Sequence, residues 1–143
     1  VIQQIITTFP DSNIIVNLEN GGSRSGRPVS ITNGTILNLA NAADAITDRI
    51  SICKIAFITL TGNDTFTDFT FLPAPDPLPT GCEAECEEGA RNTLNSFVNT
   101  PTTVAVRAGG GTTGRESVTS TAFGIAILGN DTAVSTCHVE DIE

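Results

Sequence analysis

Val16-Asn17-Leu18-Glu19-Asn20-Gly21-Gly22-Ser23-Arg24-Ser25-Gly26-Arg27 decides how this chain is read, because its pattern occurs twice. Val104-Ala105-Val106-Arg107-Ala108-Gly109-Gly110-Gly111-Thr112-Thr113-Gly114-Arg115 matches it without a gap. Both stretches run apolar-x-apolar, then Gly-Gly, then Gly-Arg. The match resumes after one inserted residue, with Val29-Ser30-Ile31 against Val118-Thr119-Ser120 and Ile36 to Leu39 against Ile125 to Leu128. Both copies close alike, Ser51-Ile52-Cys53-Lys54-Ile55 against Ser135-Thr136-Cys137-His138-Val139. Self-similarity at this spacing is read as a duplicated structural unit.

Each copy reads as short strands. Ile14, Val16 and Leu18 alternate with Ile15, Asn17 and Glu19, the period of a half-buried strand. Gly21-Gly22, Asn33-Gly34 and Gly109-Gly110-Gly111 supply turns. Further strands are expected at Val29 to Ile31, Ile36 to Leu39 and Ile50 to Ile55. So many strands in so few residues predict a barrel, since curling closed removes sheet edges. Glu83 to Phe97, with Ala90, Leu94 and Phe97-Val98 at helical spacing, predicts a helix leading the second copy. Val1 to Ile6 resembles its end and is read as the tail of the first copy's helix. Pro10 and Pro101 mark the two exits.

The expected fold is therefore all-β with short helices, as tandem duplicated small β-barrels of the Sm-like or SH3-like kind. Residues 1–60 form the first module, 61–81 a Phe/Pro-rich extended linker or arm, and 82–143 the second helix and barrel. Phe66, Phe69 and Phe71 form an apolar cluster in the linker. Pro73, Pro75, Pro77 and Pro79 hold the segment after it extended. It reads as a stiff linker, or as an assembly arm laid on a neighbouring molecule.

Composition narrows the function. The chain has 143 residues, with 7 Lys+Arg against 16 Asp+Glu, a net charge of -9. Lys54 is the only lysine, and there is no Trp, Tyr or Met. Nucleic acid is disfavoured as a partner, for want of a basic face and stacking rings. No apolar run approaches the ~18 residues of a membrane span. Hydrophobic residues make up 39% of the chain, too many for a disordered segment. Val, Ile, Leu and seven Phe must fill both cores, which leaves little for a small-molecule site.

No catalytic, cofactor or metal constellation stands out, and the chain is not expected to be an enzyme. His138 is the only histidine, and no Gly-x-Ser-x-Gly elbow exists. Cys82-x3-Cys86 with Cys137-His138 lacks the spacing of zinc ribbons, and adjacent strand residues point to opposite faces. The acidic run Glu83, Glu85, Glu87 and Glu88 complements a helix N-terminus more simply than it binds calcium. Asn33-Gly34-Thr35, Asn63-Asp64-Thr65 and Asn130-Asp131-Thr132 fit the glycosylation sequon but read first as turns. Cys53, Cys82, Cys86 and Cys137 are disulfide candidates, with three possible full pairings. A bond from Cys82 or Cys86 to Cys137 would tie helix to barrel. Cys53 would then be left for an intermolecular bond.

Two resemblances bear on these residues. A short helix, then Val16-x-Leu18-x-x-Gly21-x4-Gly26-x-x-Val29, resembles the first half of the Sm-like motif. The Asp-and-Asn pocket that Sm-like proteins use for RNA is missing near Thr32 to Leu39, so RNA binding does not carry over. The helix ending in Arg91-Asn92-Thr93-Leu94, the strand-Gly-Gly turn and the closing Ile52-Cys53-Lys54-Ile55 resemble small Cys-containing surface proteins of spore-forming Firmicutes. That likeness implies an extracellular or spore-surface structural role, as a self-assembling, disulfide cross-linked filament or coat of copies of this chain. The alternative is a soluble tandem module binding a peptide or small ligand.

Overall fold

The structure, a computed structural model, describes residues 2–67, 69–78 and 82–143, with the side chains of Cys82, Glu83 and Glu85 outside that description. The protein is mostly β-strand with two short helices. The first half runs α1 (Ile2–Thr8), β1 (Ile14–Leu18), β2 (Ser23–Thr32), β3 (Ile36–Ala40), β4 (Ile46–Ser51), a 3-10 turn (Ile52–Lys54) and β5 (Ile55–Leu60). The second runs α2 (Cys82–Asn95), β6 (Thr103–Val104), β7 (Val106–Ala108), β8 (Gly111–Thr112), β9 (Glu116–Ala122), β10 (Ile125–Leu128), β11 (Thr132–Ser135), a 3-10 turn (Thr136–His138) and β12 (Val139–Ile142). The strand expected to run unbroken over Ile50 to Ile55 is thus split by a 3-10 turn.

Nine strands pair in the order β4-β3-β2-β1-β5-β11-β10-β9-β6, and three in the order β12-β7-β8. All pairs are antiparallel. The two sheets are one ladder with a step in it. Only Ala105 separates β6 from β7, and its N–H and C=O both bond Glu143, at 2.9 Å each. The ladder therefore runs from β4 at one end to β12 at the other. Among the described residues it does not close on itself, so hydrogen bonding there completes neither of the expected barrels.

The two halves share registers. In the first, β5 meets β1 with Ile55 opposite Leu18, Phe57 opposite Asn17 and Ile58 opposite Val16. In the second, β12 meets β7 with Val139 opposite Ala108, Asp141 opposite Arg107 and Ile142 opposite Val106. Each pairing carries a bulge at the same step, which leaves Ala56 and Glu140 as the extra residues. Val16 therefore corresponds to Val106, and Ile14 to Val104. The gapless match of the sequence is off by two. Three residues turn the chain between Leu18 and Gly22, but only two between Ala108 and Gly111. The glycines that align by eye occupy different places in the turns.

The halves trade core residues. One cluster gathers Ile5, Ile14, Val16, Leu37, Leu39 and Ile50 from the first half, with Ile125, Ile127 and Ala133 from the second. The other gathers Leu94, Val104, Val106, Val118, Leu128 and Val134, with Ala56 and Phe57 from the first. Ile5 of α1 and Leu94 of α2 plug corresponding positions, each at most 1% exposed. Each unit alone is small for a self-sufficient core, and the exchange enlarges both.

The linker returns to its own chain. Phe66 is buried, and Phe66, Phe69 and Phe71 stack edge to face in sequence, with Phe9 against the first two. These rings cover the first core, and none of the three lies in a strand among the described residues. After them the segment is exposed, with Leu72 and Leu78 facing solvent beside Pro73, Pro75 and Pro77. Pro79 lies outside the described residues.

Candidate assembly edges

The joint between the halves is the pairing of β5 with β11. Thr132 stands opposite Thr59, Ala133 opposite Ile58 and Val134 opposite Phe57. The Thr59 and Thr132 hydroxyls share a hydrogen bond of 3.3 Å. The chain beyond β5 is fastened to the same place, since the Leu60 N–H donates to the Asp131 carbonyl and the Phe66 N–H to that of Asn130. Above the strands, the turn at Gly109 presses on the first half. A Cβ there would stand 2.7 Å from both the Ala56 Cβ and the Glu19 Cα, and one at Gly111 would stand 3.1 Å from the Phe57 ring. The glycine turn and β11 thus leave a groove, which Ala56 and Phe57 fill.

A polar cluster crosses this joint. Lys54 Nζ donates to Glu19 Oε2 at 2.6 Å, and His138 Nδ1 lies 3.6 Å from Glu19 Oε1. The hydrogen bond from Lys54 holds the Glu19 carboxyl below its ordinary range, and the same bond raises Lys54.

The first half carries the corresponding groove, unfilled. It has a volume of about 570 Å³ and lies between the β1–β2 turn and β4. Arg24, Arg49 and Lys54 line it, with Glu19 and Asp48. Arg24 pairs with Asp48 at 3.2 Å. Arg49 has no ion-pair partner among the described residues. At the other end of the ladder, β12 is acidic, with Glu140 and Asp141 exposed and Glu143 following. Glu140 Oε1 accepts the Gly110 N–H at 3.2 Å.

Cys53 and Cys86 carry exposed thiols, and Cys137 is also at the surface. The side chain of Cys82 lies outside the described residues, so pairings through it are not placed. Cys137 and His138 sit on a 3-10 turn, not on a strand as their sequence context implied. Among the described residues no three His, Cys, Asp or Glu side chains are close enough to hold a metal, and no helix is long and apolar enough to cross a membrane.

Sequence reading missed Glu87. It looked like one member of a solvated acidic run, yet it is 1% exposed. Its Oε1 accepts from Arg91 Nε at 3.0 Å, the Gly124 N–H at 2.9 Å and Thr136 Oγ1 at 2.8 Å. It pins α2 to the β9–β10 turn and the 3-10 turn before β12. Its Oε2 is buried without a hydrogen-bond partner among the described residues. The available signal was Arg91, one helical turn on.

Family models, the sequences of characterised proteins and solved structures give no match to this chain.

Proposed function

We propose that this protein is a structural subunit that assembles with copies of itself, edge to edge, into an extracellular or spore-surface filament or coat. One observation carries the reading. The chain already contains a joint between two like units, β5 on β11, and its ladder ends in the same two kinds of edge, β4 and β12. A strand edge with unpaired N–H and C=O groups is a template for another chain. Edges of two different kinds on one subunit add head to tail, giving rings or filaments.

The units are small barrels of the Sm-like kind, a reading supported by the order β4-β3-β2-β1-β5 and a leading helix in each half. The exposed thiols of Cys53 and Cys86 cross-link neighbouring subunits in an oxidising compartment.

Electron microscopy of the purified protein tests the assembly: filaments or rings are expected, and a monodisperse monomer at every concentration defeats it. Gels run with and without reductant test the cross-link, which identical monomer bands would exclude. The unfilled groove favours a second reading, a soluble module that binds an acidic peptide or small anion beside Arg49. Discrete monomers binding such a ligand would support it instead.

A further inference from the structure

We infer that Asn33 is a self-modification site, whose side-chain amide converts without an enzyme to aspartate and isoaspartate, and that the fold protects the same dipeptide at Asn20-Gly21. The reaction needs only water, so it proceeds whether or not copies of the chain assemble.

The residue after the asparagine sets the chemistry. The Gly34 nitrogen gives its proton to solvent base and attacks Asn33 Cγ. An N–Cγ bond forms, the Cγ–Nδ2 bond breaks and ammonia leaves. The product is a five-membered imide closed through the Asn33 backbone carbonyl carbon and Cγ. Water opens it on either side. Breaking the new N–Cγ bond leaves aspartate, and breaking the peptide C–N bond leaves isoaspartate. Glycine favours the closure, because no Cβ hinders the approach and its backbone turns most freely. The chain contains two such pairs, Asn20-Gly21 and Asn33-Gly34.

Their places in the turns separate them. The Thr35 N–H donates to the Thr32 carbonyl at 3.2 Å, so Asn33 and Gly34 are the central residues of their turn, at φ +52° and +73°. The closing bond of a turn uses the last N–H and leaves that of the third residue free. The Gly34 N–H and the Asn33 carboxamide accordingly have no hydrogen-bond partner among the described residues. Both residues are exposed, and a Cβ on Gly34 would meet nothing within 4 Å. At the other pair, Gly21 is the last residue of its turn, and its N–H donates to the Leu18 carbonyl at 2.9 Å. Asn20 Oδ1 accepts the Gly22 N–H at 3.0 Å. Gly21 also backs onto the second half, where a Cβ on it would stand 3.8 Å from the Gly110 carbonyl oxygen. The attacking nitrogen and the attacked carboxamide are both tied at Asn20-Gly21 and both untied at Asn33-Gly34. Each such bond must open before the ring can close.

Conversion changes the tip of the β2–β3 hairpin. Either product adds negative charge to a chain whose net charge is already -9. Aspartate tolerates the left-handed backbone as asparagine does. Isoaspartate instead lengthens the main chain within a turn that also holds the 3-10 turn after β4, through the Ile52 N–H on the Thr35 carbonyl at 2.9 Å.

Ageing the full chain at mildly alkaline pH, in buffer and in urea, followed by peptide mass spectrometry, tests the site. In the folded protein Asn33 should convert about tenfold or more faster than Asn20, since two bonds guard the latter. Both aspartate and isoaspartate should appear at Asn33. In urea the two pairs should convert at similar rates. Asn33→Gln should remove the new acidic species and leave the rate at Asn20 unchanged. Equal rates in the folded protein, or an Asn33 that stays an amide there, would overturn the inference. A difference that persists undiminished in urea would place its cause in the local sequence and overturn the role of the turns.

Discussion

Gly109 in the second half lies so close to Glu19 in the first that a Cβ on Gly109 would fall 2.7 Å from the Glu19 Cα. The same glycine has φ +58°, in the left-handed region. Both constraints act at one place, where the halves meet. Gly109→Ala is expected to destabilise the protein by about 2–4 kcal/mol, from overpacking and left-handed strain together. Gly124→Ala, at φ +78° but with open space around its Cβ, should carry only the strain. Thermal melts of the two variants give the comparison, and equal losses would refute the close-packing argument.

Phe57 reports on the exchange of core residues. Its ring belongs to the second half's core, although its strand belongs to the first. Phe57→Ala should cost about 3–5 kcal/mol. The loss should appear in both halves at once, because the ring leaves a cavity where the two are joined. Hydrogen exchange followed residue by residue would show protection falling in β1 and β10 alike. Protection lost from one half only would mean that the halves are independent.

Glu87 holds three donors on one oxygen, inside the protein. Glu87→Ala strands the Gly124 N–H and the Thr136 hydroxyl and should cost about 3 kcal/mol or more. Glu87→Gln retains an acceptor oxygen and should cost less. Urea unfolding followed by far-ultraviolet circular dichroism measures both. A neutral alanine variant would show that the helix is held by Leu94 alone.

The Glu19–Lys54 pair gives stability a defined pH window. The folded state holds the Glu19 carboxyl down, so its contribution is present above the ordinary carboxylate range and is lost as pH falls through the lowered value. Lys54 is raised, so its contribution is present below the ordinary lysine range and is lost as pH rises through the raised value. Lys54→Met should therefore lower the melting temperature slightly at neutral pH and make less difference at either extreme. The pair is solvent-exposed, so molar salt should shrink the effect. A difference that stays constant from acid to alkali would remove the ion pair from the account.

The sequence by itself determined the local structure. Alternating Ile14, Val16 and Leu18, the turn glycines and the apolar spacing of α2 place strands and helices wherever short-range periodicity decides. It also exposed the repeated pattern, since like strands demand like patterns. Tertiary structure decided everything that depends on partners distant in the chain. It placed Val16 with Val106, since turn length and a bulge set register and neither appears in a gapless match. It buried Glu87, because a carboxylate among glutamates reveals its burial only once Gly124 and Thr136 arrive from elsewhere. It laid the phenylalanines of the linker on their own core, where their apolar area leaves water without a second molecule. And it showed why Ala56 and Phe57 stand where Glu140 and Asp141 stand in the other copy. One pair fills a groove inside the molecule, and the other faces water at the end of the ladder.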